Sequence, residues 1–226
     1  MKSMAILLTI FILSGCTFTS HKDTHLTFDY THNLDNVIVR VDIQEGNLIT
    51  SGSGTWLNDK YIITAAHLLN GIKPDHKLTV RYLSHIYPAK IYAIENPGQL
   101  DLAILVVEPN KFIKSPDGWR VKLCESMLSP ADPVWVASGM YNIVSGSYAS
   151  PDSILIHNEL IWSNGLTGSY KEGVSGSSVF MRRENCMAGI VTMKHKSSDM
   201  ISEVYKTDIV TVDMIRNFLH DNKIIL

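Results

Sequence analysis

Three short segments of the chain carry residues of the types that activate a nucleophile. In chain order they are TAAH, which ends at His67, DLAILVV, which begins at Asp101, and EGVSGSSVF, which is centred on Ser175. A serine hydroxyl becomes a strong nucleophile when an imidazole takes its proton, and the imidazole does this best when a buried carboxylate fixes its tautomer. Each segment alone also fits an ordinary strand end, cap or turn. Together, a histidine, an aspartate and a serine fit the chemical requirement.

The elements that position these residues are predicted to be strands. Short runs rich in valine, isoleucine, tyrosine and threonine recur between turn signals along most of the chain. They are NVIVRVDI, GTWLNDKYIITA, KLTVRYL, AKIYAIE, DLAILVVE, DPVWVASGM, SILIHNELIW, SSVF, MAGIVTM and SEVYKTDIV. Such a series predicts an all-β sandwich or barrel.

One amphipathic segment near the end of the chain predicts a helix. In TVDMIRNFLHDN, the apolar residues Val212, Ile215 and Leu219 fall on one helical face, and Thr211 precedes them as a candidate N-cap. An apolar stripe of this kind is typical of a face that docks onto the rest of the fold.

The segments around the three chemical residues resemble the signature blocks of a known family. YIITAAHLL, LDLAILVV and GVSGSSVF are similar to those of the chymotrypsin-fold (trypsin-like) serine proteases, above all the bacterial HtrA/Deg and glutamyl-endopeptidase branches. The order His, Asp, Ser is also that of the family. The resemblance, over about residues 34–220, implies two six-stranded antiparallel Greek-key β-barrels, near 34–115 and 120–210, and a C-terminal α-helix.

The resemblance also implies a serine endopeptidase without a metal or organic cofactor. Ser175 would attack the scissile carbonyl, and His67 would take its proton and later give it to the leaving amine. Asp101 would orient His67, and the backbone N–H groups of Gly173 and Ser175 would form the oxyanion hole. Two further serines follow in the same block, but the family's block places the reactive serine two residues after Gly173.

Val174 departs from the family pattern. Relatives carry Asp or Asn at this position, and an Asp there receives the amine of the newly cut N-terminus during activation. Because valine cannot accept that charge, we do not expect activation of this kind. Valine also lacks the polar contacts that steady the oxyanion loop, so we expect the loop to be poorly formed at rest. An alternative function therefore stays open, namely a catalytically silent protease fold that acts as a binding or assembly module.

The resemblance also indicates residues of the specificity pocket. Ser169 matches the base of this pocket and carries no charge, so a preference for arginine or lysine is not expected. Thr192, Met193 and Lys194 follow in the strand that walls the pocket, and they favour small or medium apolar side chains. The histidine that a glutamyl endopeptidase would have near Val191 is absent. Lys194 is interpreted as an exposed strand-end charge, with attraction of an acidic residue as the alternative.

The first residues resemble a bacterial lipoprotein signal peptide, assigned to residues 1–15. A basic start at Lys2 precedes an apolar stretch, residues 4–13, that is too short to span a bilayer comfortably. The sequence LSGC, which ends at Cys16, resembles a lipobox and implies lipidation of that cysteine. The alternatives are an ordinary secretory signal and an uncleaved anchor. The expected location is the cell envelope, with the folded part outside the cytoplasm. In a two-membrane organism Thr17, which is not acidic, favours the outer membrane.

A polar segment, residues 16–33, is interpreted as a tether between the lipid and the fold. Its histidines, His21, His25 and His32, lack the local spacing of metal ligands. Cys124 and Cys186 remain, either as a disulfide or as two buried free thiols.

The charge of the chain bears on its partners. With a formal charge of -2 and no long Lys/Arg run, the sequence lacks the electrostatic footprint of a nucleic-acid-binding protein. The expected partners are a protein or peptide substrate and a lipid membrane, and the sequence leaves the oligomeric state open.

Overall fold

The computed structural model describes residues 34, 36–108, 121–149, 165–167, 170, 172–199 and 202–226. The predicted signal peptide, the tether with its three histidines, Cys16 and Ser169 lie outside the described residues, as does the run SILIHNELIW. Among the described residues, no helix combines the length and the apolar character needed to cross a membrane.

The first half of the described chain forms a closed barrel of six antiparallel strands, in the order β1-β2-β3-β6-β5-β4. A 3-10 helix, Ala66–Leu69, follows the third strand. The strands are β1 (Ile38–Glu45), β2 (Leu48–Trp56), β3 (Tyr61–Thr64), β4 (Lys77–Tyr82), β5 (His85–Ile94) and β6 (Ala103–Val107).

The second half forms another closed antiparallel barrel, in the order β10-β11-β12-β9-β8-β7, and a C-terminal helix follows it. In both barrels the fourth strand returns to pair with the first, which is the Greek-key connection. The elements are β7 (Pro133–Ser138), β8 (Asn142–Ala149), β9 (Gly165–Thr167), β10 (Ser178–Met181), β11 (Cys186–Asp199), β12 (Ser202–Thr211) and α1 (Val212–Asp221). The prediction of an all-β fold with two six-stranded barrels and a C-terminal helix is confirmed.

The largest apolar core runs through both barrels and the helix. It joins Val39 and Ile104 of the first barrel to Ile190 of the second and to Phe218 of α1. The barrels also meet closely at Gly139, where a Cβ atom would lie 2.0 Å from the carbonyl oxygen of Val39. The active-site elements described below therefore sit on two barrels with one continuous core.

Helix α1 docks as the sequence predicts. Val212, Ile215 and Leu219 are all buried, and Phe218 joins them on the same face. Thr211 occupies the N-cap position in an extended conformation, but its side chain makes no capping hydrogen bond. The predicted N-cap position is therefore confirmed, without a side-chain capping hydrogen bond, and the apolar face of the helix is buried.

Cys124 and Cys186 form a disulfide, with an S–S distance of 2.01 Å and a separation of 62 residues. Of the two alternatives that the sequence left open, pairing is the one found. The bond ties the segment that precedes the second barrel to the start of β11, where the amide of Cys124 also donates to Met187 O at 3.0 Å.

Candidate active site

His67 lies in the 3-10 helix that directly follows β3. Ala65 and Ala66 are completely buried, so the chain can turn tightly against the barrel at this point. The side chain of His67 is 29% exposed, and it therefore stands at the surface of the first barrel with one edge open to solvent.

Asp101 reaches His67 because β3 and β6 pair. Thr64 is opposite Ala103 in this antiparallel pair, which places a residue just before β6 beside a residue just after β3. The Asp101 side chain is 2% exposed, and its Oδ2 lies 2.7 Å from His67 Nδ1. Its Oδ1 accepts the backbone N–H of His67 at 2.7 Å. An ionised carboxylate only accepts hydrogen bonds, so Nδ1 carries the proton and Nε2 is left as an acceptor.

Ser175 lies on a loop that turns at two glycines. Gly173 has a φ of +88° and Gly176 has a φ of +83°, and residues other than glycine rarely adopt such values. A Cβ atom on Gly176 would lie 2.0 Å from Ser53 O and 2.5 Å from Thr64 Oγ1. The serine loop of the second barrel therefore packs against the strands of the first barrel that lead to His67.

The hydroxyl of Ser175 donates to the carbonyl oxygen of Thr192 at 3.0 Å. Among the described residues, Thr192 O is the acceptor of the Ser175 hydroxyl, and the ring of His67 is not its partner. Before Ser175 can give its proton to His67, its hydroxyl has to leave this carbonyl.

The backbone of the loop has the features that an oxyanion hole requires. Within the described part of the chain, the amides of Gly173 and Ser175 donate to no other group. The neighbouring amides are engaged, since Gly176 N donates to Val191 O at 2.8 Å and Ser177 N donates to Val174 O at 2.9 Å. The two free donors lie on either side of Val174, whose amide also donates to no group among the described residues, and such donors can stabilise a negative oxygen.

Val174, the departure from the family pattern, is 4% exposed. It belongs to the apolar cluster of the second barrel and packs there with Val134, Val136, Tyr148, Leu166, Tyr170, Val179, Val191 and Ile209. Val174 therefore fixes its part of the loop by apolar packing, where relatives would use a polar side chain.

Of the expected specificity residues, the structure describes the side chain of Thr192. It is 3% exposed, and its hydroxyl donates to Asp208 O at 3.3 Å, so Thr192 presents its backbone carbonyl to Ser175 and its hydroxyl to β12. Met193 and Lys194 continue β11 next to a break in register between Val191 and Lys194. Their side chains, like Ser169, lie outside the described residues.

A pocket of about 260 Å³ opens beside His67 on the first barrel. Ile43, Leu68 and Ile72 give it apolar walls, and Glu45 and His76 give it a polar end. His76 Nε2 lies 3.2 Å from Glu45 Oε1. Sequence reasoning missed this pocket, because most of its lining residues come from two segments outside the three recognised blocks, and only His67 and Leu68 belong to a block.

One group of possible metal ligands lies within the described ranges: Cys124, Glu184 and Cys186. The two sulfur atoms are bonded to each other, so this group offers no thiolate to a metal.

No family model matches the chain, and no curated protein matches its sequence. Solved structures do match. The Rv3671c protease from M. tuberculosis, in its active form, has a TM-score of 0.65 at 14% identity, with 98% of this chain and 96% of that chain covered. The serine endoprotease from Yersinia pestis has a TM-score of 0.60 at 18% identity, with 84% and 66% covered. The MamO protease domain from Magnetospirillum magneticum has a TM-score of 0.59 at 18% identity, with 83% and 98% covered.

These neighbours define the class of fold. They are trypsin-like serine proteases with two six-stranded barrels, and this chain has the same fold. Because identities of 14–18% establish the fold alone, the activity has to be argued from the site.

Proposed function

We propose that the protein is a serine endopeptidase that hydrolyses peptide bonds in proteins outside the cytoplasm. The observation that carries the proposal is the His67–Asp101 pair, in which Nδ1 of His67 lies 2.7 Å from Oδ2 of the buried Asp101 carboxylate. It lies on a trypsin-like protease fold, beside a loop that presents Ser175 between two glycines of positive φ. This combination suits acyl transfer to a serine.

In the proposed reaction, Ser175 Oγ turns from Thr192 O and attacks the substrate carbonyl while His67 Nε2 takes its proton. The amides of Gly173 and Ser175 stabilise the tetrahedral oxyanion, and Asp101 stabilises the imidazolium. When the intermediate collapses, the C–N bond breaks, His67 returns the proton to the leaving amine, and an acyl-serine remains. Water then attacks the acyl group with His67 as base, which releases the carboxylic acid and restores Ser175. The chain's own residues supply every proton transfer.

The proposed substrate is a protein or peptide with a small or medium apolar side chain before the scissile bond. This proposal rests on the resemblance at Ser169, Thr192, Met193 and Lys194. The pocket of about 260 Å³ beside His67 adds room for a further substrate side chain near the reacting bond.

We also propose that the protein is anchored in the cell envelope by a lipid on Cys16. The Cys124–Cys186 bond supports a location outside the cytoplasm, because disulfides persist in oxidising compartments and are rare in the cytosol. Metabolic labelling with an alkyne fatty acid tests the anchor. Incorporation is expected in the natural chain and not in Cys16→Ala, and equal labelling of both chains would refute it.

A fluorophosphonate probe, which reacts with activated serines, tests the activity. The full-length protein in detergent is treated near pH 8. Labelling is expected to disappear in Ser175→Ala and to persist in Ser177→Ala. Ser177 is a suitable control because it lies in the same loop and is completely buried.

One observation favours a second candidate, a protease fold that binds without cleaving. The Ser175 hydroxyl is engaged with Thr192 O and not with the ring that would activate it. If a folded preparation gives no labelling at Ser175, the endopeptidase proposal fails and the binding or assembly role becomes the better account.

A further inference from the structure

We propose that Ser53 is a positioning residue that sets the oxyanion loop, with Ser138 as its partner from the other barrel. The role rests on the proposed function, since it concerns the loop that would stabilise the transition state. None of the three signature blocks contains Ser53 or Ser138. Ser53 lies in β2 of the first barrel and is completely buried, and Ser138 ends β7 of the second barrel and is 1% exposed.

Ser53 holds the carbonyl groups of both residues whose amides would form the oxyanion hole. Its amide donates to Ser175 O at 2.8 Å, and its hydroxyl donates to Gly173 O at 3.0 Å. A peptide group is planar, so fixing a carbonyl oxygen fixes the orientation of the whole peptide. The peptide held at Gly173 O is the one between the two peptides that carry the Gly173 and Ser175 N–H groups, so holding it limits how far these two groups can rotate away from a common point.

The proton positions around Ser53 follow from counting donors. A serine hydroxyl has a single proton, and the proton of Ser53 goes to Gly173 O. In its 3.0 Å contact with Ser138 Oγ, Ser53 must therefore accept, and Ser138 must donate. Gly139 N also donates to Ser53 Oγ, at 3.2 Å, and Met140 N donates to Ser138 Oγ, at 3.2 Å. The hydroxyls thus form a chain with one direction, which runs from the end of β7 through Ser53 to the loop.

This chain of hydroxyls supplies the hydrogen-bonded fixation that the apolar side chain of Val174 cannot. The Val174 side chain contacts apolar neighbours and has no hydrogen-bonding atom. Gly173 has the wide conformational freedom of glycine, so the peptide after it needs an external partner. Ser53 provides this partner from the opposite barrel.

The test removes each hydroxyl in turn. Ser53→Ala keeps the amide contact and removes the bond to Gly173 O, and Ser138→Ala leaves that bond without its supporting donor. The matched control is Ser178→Ala. Ser178 is also completely buried, and its hydroxyl also bonds across the barrels to β2, at Thr55 Oγ1, 2.5 Å away. It makes no bond to Gly173 O.

The first readout does not depend on activity. Amide hydrogen exchange in the full-length protein is measured at Gly176, whose N–H donates to Val191 O of β11, and at Ser177, whose N–H donates to Val174 O of the loop. Exchange at both amides is expected to become about tenfold faster or more in Ser53→Ala and to accelerate by a smaller factor in Ser138→Ala. In Ser178→Ala it is expected to change by less than about threefold. Unchanged exchange in Ser53→Ala would overturn the proposal. If Ser53→Ala does not fold, Ser138→Ala decides in its place.

The second readout is hydrolysis of p-nitrophenyl acetate. Removing an oxyanion donor lowers kcat by about 10²–10³, so misplacing the donors is expected to lower kcat by about 10- to 100-fold in Ser53→Ala with little change in KM. An equal fall in kcat in Ser178→Ala would show that the effect of Ser53→Ala is a general loss of structure, and it would refute the proposal. If the natural protein neither reacts with the probe nor hydrolyses the ester, the proposed endopeptidase fails, and the exchange measurement still decides whether Ser53 sets the loop.

Discussion

Replacing Asp101 by asparagine tests the direction of the hydrogen bonds at His67. Asp101 accepts from the same residue twice, through Oδ1 from the backbone N–H and through Oδ2 from Nδ1, both at 2.7 Å. An asparagine side chain has one oxygen and one NH2 group. Because the backbone N–H can only donate, the amide oxygen must take the place of Oδ1, and the NH2 group must then face Nδ1.

This arrangement gives His67 the wrong tautomer. The new NH2 group donates to Nδ1, so the ring proton moves to Nε2, and Nε2 can no longer accept the proton of Ser175. A wrong tautomer in a site of this kind lowers kcat by about 10⁴, which corresponds to about 5.5 kcal/mol of lost transition-state stabilisation. The geometry of the site should survive, because the shape of the side chain and both contacts are retained.

The assay is the rate of fluorophosphonate labelling and of p-nitrophenyl acetate hydrolysis, with circular dichroism to verify folding. Asp132→Asn is the matched control. Asp132 is 7% exposed and also accepts one backbone N–H, from Ser129 at 2.7 Å, and one side-chain donor, Arg183 at 2.6 Å. We expect the control to keep its activity within about twofold. A loss below about tenfold in Asp101→Asn, or an equal loss in both variants, would refute the tautomer argument.

Three further predictions concern stability. Val174→Asp buries a carboxyl group in an apolar cluster and should destabilise the fold by about 3 kcal/mol, a fall in Tm of about 10 °C by calorimetry; an unchanged Tm would contradict the packing argument. In urea unfolding, the free energy of unfolding should fall by about 1–2 kcal/mol more in Gly176→Ala than in Gly71→Ala. Both glycines have positive φ, but a Cβ atom at Gly176 would clash with Ser53 O and a Cβ atom at Gly71 meets nothing within 4 Å. Equal losses would refute this. Replacing Cys124 and Cys186 by alanine opens a loop of 62 residues and should lower the free energy of unfolding by about 4 kcal/mol. A double variant with the same Tm as the natural protein would contradict this.

The sequence predicted those parts of the site that local pattern encodes. His67 follows an apolar strand, and Asp101 precedes another apolar strand. The pairing of β3 with β6 brings the two together, as the resemblance implies. The short runs rich in valine, isoleucine, tyrosine and threonine and the turn signals between them were likewise sufficient to predict an all-β fold. Local pattern did not decide whether Cys124 and Cys186 pair, because that depends on a distance that two positions in a sequence do not give.

The missed features depend on how the two barrels dock. Ser53 and Ser138 are 85 positions apart, and each alone is an ordinary buried serine at a strand position. Their proposed role depends on the contact between the loop of one barrel and a strand of the other, and the pattern of apolar residues in the sequence does not predict that contact. The pocket beside His67 is of the same kind, since it forms between the β1–β2 hairpin and the segment after the 3-10 helix. Thr211 takes the N-cap position that the sequence predicts, and burial of the helix face stabilises α1 without a side-chain capping hydrogen bond.

The proposed role of Ser53 also bears on the valine at position 174. An aspartate at this position needs a cation to pair with, and the family obtains it from a freed chain terminus. Ser53 lies in the middle of a strand, and its contacts to Gly173 O and Ser175 O need neither a terminus nor a charge. The loop is then set whenever the barrels are docked, so activity should not depend on cleavage of the chain. If Ser53 has the proposed role, Val174 is compatible with an ordered oxyanion loop, and the labelling of Ser175 decides between an active and a silent fold.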